Sequence, residues 1–325
     1  MRRSPRSRAA DERARRRPGP ATVRVEHVAR RFGTVDAVRD VSFEVARGEI
    51  FGLVGPDGAG KTTLMRMLAG VLRPDAGRIE LDGVDVIAAP ERARLSLSYM
   101  PQRFGLYEDL TVDENVFFYG ELFEVPRARY RADLADLLAA AGLGPFRRRL
   151  AGQLSGGMKQ KLGLVCALIH RPNVLLLDEP TTGVDPVSRR DFWTILYRLR
   201  ETGVTIVMST AYMDEAQRCS RLALLHAGAV RRCDTPARLK RSMPGALVAV
   251  GGGDPRAIRD ALAGAPGVLG TLMMGDRVHV RVDDAASRTP ELDARLASRG
   301  IAHAPIVGIE PGIEDTFVAL VGDAG

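Results

Sequence analysis

The chain has 325 residues, 45% hydrophobic and 27% charged, which gives room for one large packed domain and a smaller one. No apolar run approaches the ~18 residues that cross a bilayer, so a membrane role has to come through a partner. The formal charge of +7 is concentrated in residues 1–17, where eight arginines face only Asp11 and Glu12. The remaining chain is nearly neutral, which argues against a nucleic-acid partner.

The three cysteines, Cys166, Cys219 and Cys233, show no C-x-x-C spacing. They argue against a disulfide framework or a zinc site and fit a reducing compartment. Residues 1–20 form a basic tail ending in Pro18-Gly19-Pro20 and are expected to be disordered. Such a tail stays solvated or is drawn weakly to anionic lipid headgroups.

The folded chain begins near Ala21. Thr22 to Val28 alternates like a strand, Arg30 to Gly33 reads as a turn, and Val38 to Val45 as a second strand. Phe32 is either a core or turn aromatic or a platform for a flat ring.

The strongest signal follows the apolar run Ile50 to Val54. Gly55-Pro56-Asp57-Gly58-Ala59-Gly60-Lys61-Thr62-Thr63 fits G-x-x-x-x-G-K-[ST] and leads into a helical pattern at Leu64 to Leu68. Glycines let the backbone wrap with its N–H groups inward around phosphates, and the helix start adds its positive dipole end. In such a loop Lys61 lies against the β- and γ-phosphates and the Thr62 hydroxyl ligates Mg2+.

Further strands are expected at Arg78 to Leu81 and at Leu95 to Met100, the latter stopped by Pro101-Gln102. Gln102 is polar at the end of a buried strand, a common place for ligand-facing groups in α/β sheets. Thr111-Val-Asp-Glu114 is a capping-box pattern that opens helices over about 112–123 and 127–142.

Leu154-Ser155-Gly156-Gly157-Met158 opens a helix running to about His170 and exposes free N–H groups at its positive end. This is either a plain N-cap or a second phosphate site serving the nucleotide of another subunit. Val174 to Leu177 is a buried strand ending in Asp178-Glu179-Pro180. Asp178 at the strand end is placed to hold Mg2+, and Glu179 to polarise the attacking water. Thr182 to Pro186 is a loop that starts a helix, and Val204 to Met208 is a strand.

Phe32, the phosphate loop, Gln102, the Leu154 to Met158 motif, Leu175 to Pro180 and Gly183-Val184-Asp185 together resemble the ATP-binding cassette (ABC) transporter ATPases. The resemblance covers about residues 21–242. It implies Phe32 stacking on adenine and Gly55 to Thr63 holding phosphates and Mg2+, with Gln102 sensing Mg2+ and water and linking to a membrane permease. It also implies that Ser155, Gly156 and Gly157 reach the γ-phosphate held by a second cassette, that Asp185 organises the contact, and that Glu179 is the base. The cofactors implied are ATP and Mg2+, and the location is the cytoplasmic face of the inner membrane.

Two positions depart from the pattern. Met158 replaces the usual Gln but leaves the Ser and Gly donors in place, and Met resembles exporters of the ABC-2 type. Ala211 stands where a histidine is expected after the strand at 204–208, in Ser209-Thr210-Ala211-Tyr212. Loss of one transition-state donor of this kind costs ~10²–10³ in rate, and neither His170 nor His226 replaces it.

Beyond residue 242, strand and helix patterns follow the order β-α-β-β-α-β, with strands at 247–250, 267–273, 277–282 and 301–307. The expected fold class is α/β, a P-loop NTPase cassette with a helical subdomain over about 103–170, plus a small α+β ferredoxin-like domain. The expected division is 1–20, 21–242 and 243–325.

Overall fold

The computed structural model describes residues 21–322, and the expected basic tail lies outside them. The chain forms two compact units: residues 21–211 with 227–229, and residues 212–226 with 230–322. Residues 212–226 and 230–241 are thus grouped with the C-terminal strands.

The first unit opens with an antiparallel sheet. Strands β1 (Ala21–Phe32) and β2 (Val35–Ala46) form a hairpin, and β4 (Ala76–Leu81) and β5 (Val84–Asp85) complete the order β2-β1-β4-β5. Of the turn expected at Arg30 to Gly33, Arg30 to Phe32 are the end of β1, which accommodates its polar residues through register shifts near Val28 and Arg30, and the turn itself falls at Gly33 and Thr34.

The core of this unit is parallel. Strands β3 (Ile50–Val54), β8 (Thr205–Thr210), β7 (Val174–Asp178) and β6 (Leu97–Met100) lie side by side in that order. Every residue of β3, β7 and β8 is buried, as expected for parallel strands covered on both faces. Helix α1 (Lys61–Leu68) packs on β7 and β8, and Phe43 stacks on Phe51 with ring centroids 5.0 Å apart. The expected strand start at Leu95 is displaced by a short helix, α2 (Pro90–Arg94).

The helical insertion consists of α3 (Val112–Leu122), α4 (Arg127–Ala140) and α5 (Gly156–Leu168), with α6 (Pro186–Glu201) packed on α5. The capping box at Thr111 and Glu114 is formed reciprocally. Asn115, fully buried, donates to the carbonyls of Tyr107, Leu110 and Thr111 and accepts from the Tyr107 N–H, and so fixes the loop leaving β6.

The second unit contains α7 (Met213–Ala216), the neighbouring strands β9 (Arg221–His226) and β10 (Ala229–Asp234), and α8 (Pro236–Arg241). Four more strands follow: β11 (Ala246–Val250), β12 (Val268–Met274), β13 (Arg277–Val282) and β14 (Val307–Gly308). They form an antiparallel sheet in the order β12-β13-β11-β14. With α9 (Pro255–Leu262) and α10 (Ala285–Ser298) this is the ferredoxin-like arrangement. Its last strand is shorter than expected, two residues rather than 301–307. A final helix, α11 (Ile313–Gly322), packs against α7, α8 and β12.

Candidate functional site

The parallel register of β3, β8, β7 and β6 aligns their carboxyl ends, and there the chain turns at Gly55, Ala211, Asp178-Glu179 and Pro101-Gln102. This is the edge at which α/β sheets bind ligands. Residues 116 positions apart in sequence, Thr62 and Asp178, meet here with the hydroxyl 3.2 Å from Asp178 Oδ1.

The loop Gly55 to Gly60, the candidate phosphate loop, connects β3 to α1. Gly60 adopts φ 101°, and a Cβ there would lie 2.3 Å from the Ala37 carbonyl oxygen, so the turn admits glycine alone. The Lys61 side chain is buried and folds back along the loop. Its Nζ donates to the carbonyls of Gly55 (2.9 Å) and Pro56 (3.0 Å) and pairs with Glu179 Oε1 at 3.0 Å. Pro56, Asp57 and Gly58 form the exposed crest, whereas Ala59 is buried. Asp57 stands 3.9 Å from Lys61 Nζ. Thr63 follows in the first turn of α1, half-buried.

Asp178, 1% exposed, ends β7 and is held by three hydroxyls. Ser209 donates to Oδ1 at 2.6 Å, Thr62 to the same oxygen, and Tyr99 to Oδ2 at 3.3 Å. Burial, reinforced by the Asp178 charge, pushes the Tyr99 phenol up to about 12, which keeps it a donor. Glu179 sits at φ 48°, a conformation costing a non-glycine residue about 1–3 kcal/mol. Its N–H is gripped by the Ser209 side chain (2.9 Å) and main chain (3.2 Å). The Glu179 carboxylate receives Gln102 Nε2 at 3.1 Å and the Thr182 hydroxyl at 3.5 Å.

The donor set suits Mg2+. Thr62 and Asp178 supply two hard oxygens, and no cluster of three metal-binding side chains exists among the described residues. Mg2+ in phosphate sites takes one or two protein oxygens and leaves the rest of its shell to phosphates and water.

Phe32 lies at the end of β1, 46% exposed, with the Arg30 guanidinium 4.8 Å from its ring centroid. The ring is thus partly open to solvent. No contact places Phe32, Ser155 or Asp185 against Lys61 or Asp178 within the single chain.

Ser155 caps α5, its hydroxyl accepting from the Met158 N–H at 3.3 Å. Gly156 opens to solvent: a Cβ there would meet nothing within 4 Å. Gly157 packs so closely on α6 that a Cβ would lie 2.4 Å from the Ser188 side chain. Asp185 caps α6 by accepting from Val187 and Ser188 N–H groups, which hold its carboxyl below the usual range. Ser155, Gly156 and Asp185 therefore form an outward-facing surface of their own, with two helix N-termini side by side.

Sequence reasoning missed Tyr99, Thr182 and above all Ser209. The signal for Ser209 was its place directly after an apolar strand parallel to the acidic one, where the register sets it opposite Asp178.

The family model described as ABC transporter matches residues 38–182. "Probable multidrug ABC transporter ATP-binding protein YbhF" of Escherichia coli (strain K12) is 42% identical over 94% of the chain, which spans about half (53%) of that relative's length. "Nod factor export ATP-binding protein I" of Paraburkholderia xenovorans (strain LB400) is 38% identical over 93% of the chain and 97% of its own. A solved "Structure of ATP binding subunit of ABC transporter" superposes with a TM-score of 0.63 at 30% identity, covering 68% of this chain and 92% of that one. The fold, the strand-edge site and these relatives agree: the chain belongs to the ATP-binding proteins of ABC transporters.

Proposed function

We propose that the chain binds and hydrolyses Mg-ATP to energise a separate membrane permease of the ABC-2 type, as one of two cassettes in an exporter. The observation that carries this reading is the convergence of Lys61, Glu179 and Gln102, together with Thr62 and Asp178, on one sheet edge. Both named relatives are described as multidrug or export proteins, which supports the direction of transport.

In this reading the N–H groups of Gly55 to Thr63 cradle the phosphates and the Lys61 ammonium offsets their charge. Thr62 and Asp178, with Gln102, would hold Mg2+, which would supply positive charge to offset that of the phosphates. The Glu179 carboxylate, with one oxygen steered by Gln102, accepts a hydrogen bond from the attacking water and orients it for in-line attack. Phe32 stacks on the adenine.

Ser155, Gly156 and Gly157, with Asp185 beside them, serve the nucleotide of the opposite cassette, which explains why they face away from Lys61 within one chain. Two identical cassettes would make the arrangement isologous. The permease docks on the Gln102 side, where Tyr107, Phe117 and Phe118 are exposed. That partner places the chain at the cytoplasmic face of the inner membrane; no described helix is long and apolar enough to cross it. The ferredoxin-like sheet serves dimer stabilisation or docking.

Ala211 favours a second reading, a nucleotide-holding cassette of an asymmetric pair that lends Ser155 to a partner with its own histidine. Steady-state Mg-ATP hydrolysis by the purified chain, beside Glu179→Gln, separates the two. Turnover that disappears in the mutant supports the self-sufficient enzyme; nucleotide binding with no turnover above the mutant supports the asymmetric pair.

A further inference from the structure

The ferredoxin-like sheet is covered differently on its two faces. Val248, Val250, Val278, Val280 and Val282 pack with α9 and α10 into a closed apolar core. The alternate residues of β11 and β13, among them Leu247 and His279, face the other way. There α11 leaves a cavity of about 150 Å3 walled by Met243, Leu247, Leu272, Ala319, His279 and Asp315. A cavity of about this volume, lined by apolar side chains, accommodates one benzene ring.

The polar side chains in the wall are His279, Asp315, Arg281 and Thr271, and the first two are held as a pair. His279 Nδ1 lies 2.7 Å from Asp315 Oδ1, with the two side chains 16% and 4% exposed. Asp315 Oδ2 accepts from the Gly312 N–H at 2.8 Å, which fixes the carboxylate at the start of α11. A carboxylate only accepts, so Nδ1 carries a proton and donates to Asp315. Nε2 has no hydrogen-bond partner among the described residues. A purely structural pair tying α11 to β13 accounts for Nδ1. It does not account for the ring-sized space beside it.

We propose that this cavity binds a small neutral ring compound bearing a hydroxyl, with phenol as the simplest member. The ring fills the space between Met243, Leu247, Leu272 and Ala319, and the hydroxyl hydrogen-bonds with His279 Nε2. Such a site matches the general pattern of an apolar pocket with a few placed polar groups. It lies outside the residues assigned to nucleotide.

Titration of the full chain with phenol and, separately, with toluene, followed by calorimetry or ligand-observed NMR, tests this. Saturable phenol binding is expected, lost in Ala319→Phe, whose ring fills the cavity from α11. His279→Leu should weaken phenol roughly three- to tenfold, the span of one net hydrogen bond, and leave toluene unchanged. A fluorescent ATP analogue, bound equally by each variant, confirms that the fold is intact. Absence of saturable phenol binding, binding that survives Ala319→Phe, or equal losses of phenol and toluene in His279→Leu would each overturn the proposal. Should Ala319→Phe not fold, the phenol and toluene comparison in His279→Leu decides by itself.

Discussion

Ser209→Ala removes one hydroxyl that performs two tasks. It donates to Asp178 Oδ1 at 2.6 Å and accepts from the Glu179 N–H at 2.9 Å. The Glu179 N–H keeps the Ser209 carbonyl as partner, so the loss falls chiefly on the buried carboxylate. A hydrogen bond to a charged group contributes about 1.5–3 kcal/mol, and Asp178 retains Thr62 and Tyr99 as donors. A net loss of about 1.5–2 kcal/mol in holding Asp178 corresponds to roughly 10- to 30-fold. The assay is titration with a fluorescent ATP analogue with and without Mg2+. Affinity in the presence of Mg2+ is expected to fall by about that factor, and affinity without the metal to stay within about twofold, because Lys61 and the loop are untouched. Equal affinity in both variants with Mg2+, or an equal fall with and without it, would refute the assignment of Ser209 as the residue that positions Asp178.

Other substitutions test separate links. Gly60→Ala forces a Cβ to 2.3 Å from the Ala37 carbonyl at a φ of 101°, and should abolish ATP binding in the same titration. Asn115→Ala leaves the Tyr107, Leu110 and Thr111 carbonyls without their shared donor; a loss of about 2–4 kcal/mol is expected, read as faster hydrogen exchange over 104–116. Ala211→His should raise Mg-ATP turnover by roughly 10²-fold if the missing donor limits the rate, and an unchanged rate would show that it does not. His303 is raised above its ordinary value by the Ile301 carbonyl and by Asp293, so its contribution is fully present below the unfolded value and is lost as pH rises through the folded one. The melting-temperature difference between wild type and His303→Gln should therefore shrink from pH 5.5 to 8.

The candidate site residues were legible as local patterns because each is confined to a short stretch. Gly55 to Thr63, Ser155 to Gly157 and Asp178-Glu179 each combine an apolar strand or helix with a turn, and backbone geometry within a few residues sets their N–H groups or carboxylates. The β-α-β-β-α-β order after residue 242 was legible for the same reason, since period-2 and period-3.6 patterns are local. Register and boundaries were not. Arg30 to Phe32 read as a turn by composition, yet pairing with Asp36 and Val38 keeps them in β1. The strand expected over 301–307 shrank to Val307–Gly308, where β11 offers a partner.

What the sequence by itself determined is the set of local devices: a glycine-rich loop between strand and helix, a capped glycine-rich helix, an acidic strand end and an alanine where a histidine is expected. What only the tertiary structure decided is which of these meet. Strand order and parallel register bring Ser209 opposite Asp178 and Tyr99 beneath it, and they set Lys61 against Glu179 across 118 positions of chain. The same non-local pairing places His279 of β13 against Asp315 of α11 and leaves the cavity beside them. Contacts of this kind depend on how separately formed elements stack, a property of the whole packed core that no window of sequence contains.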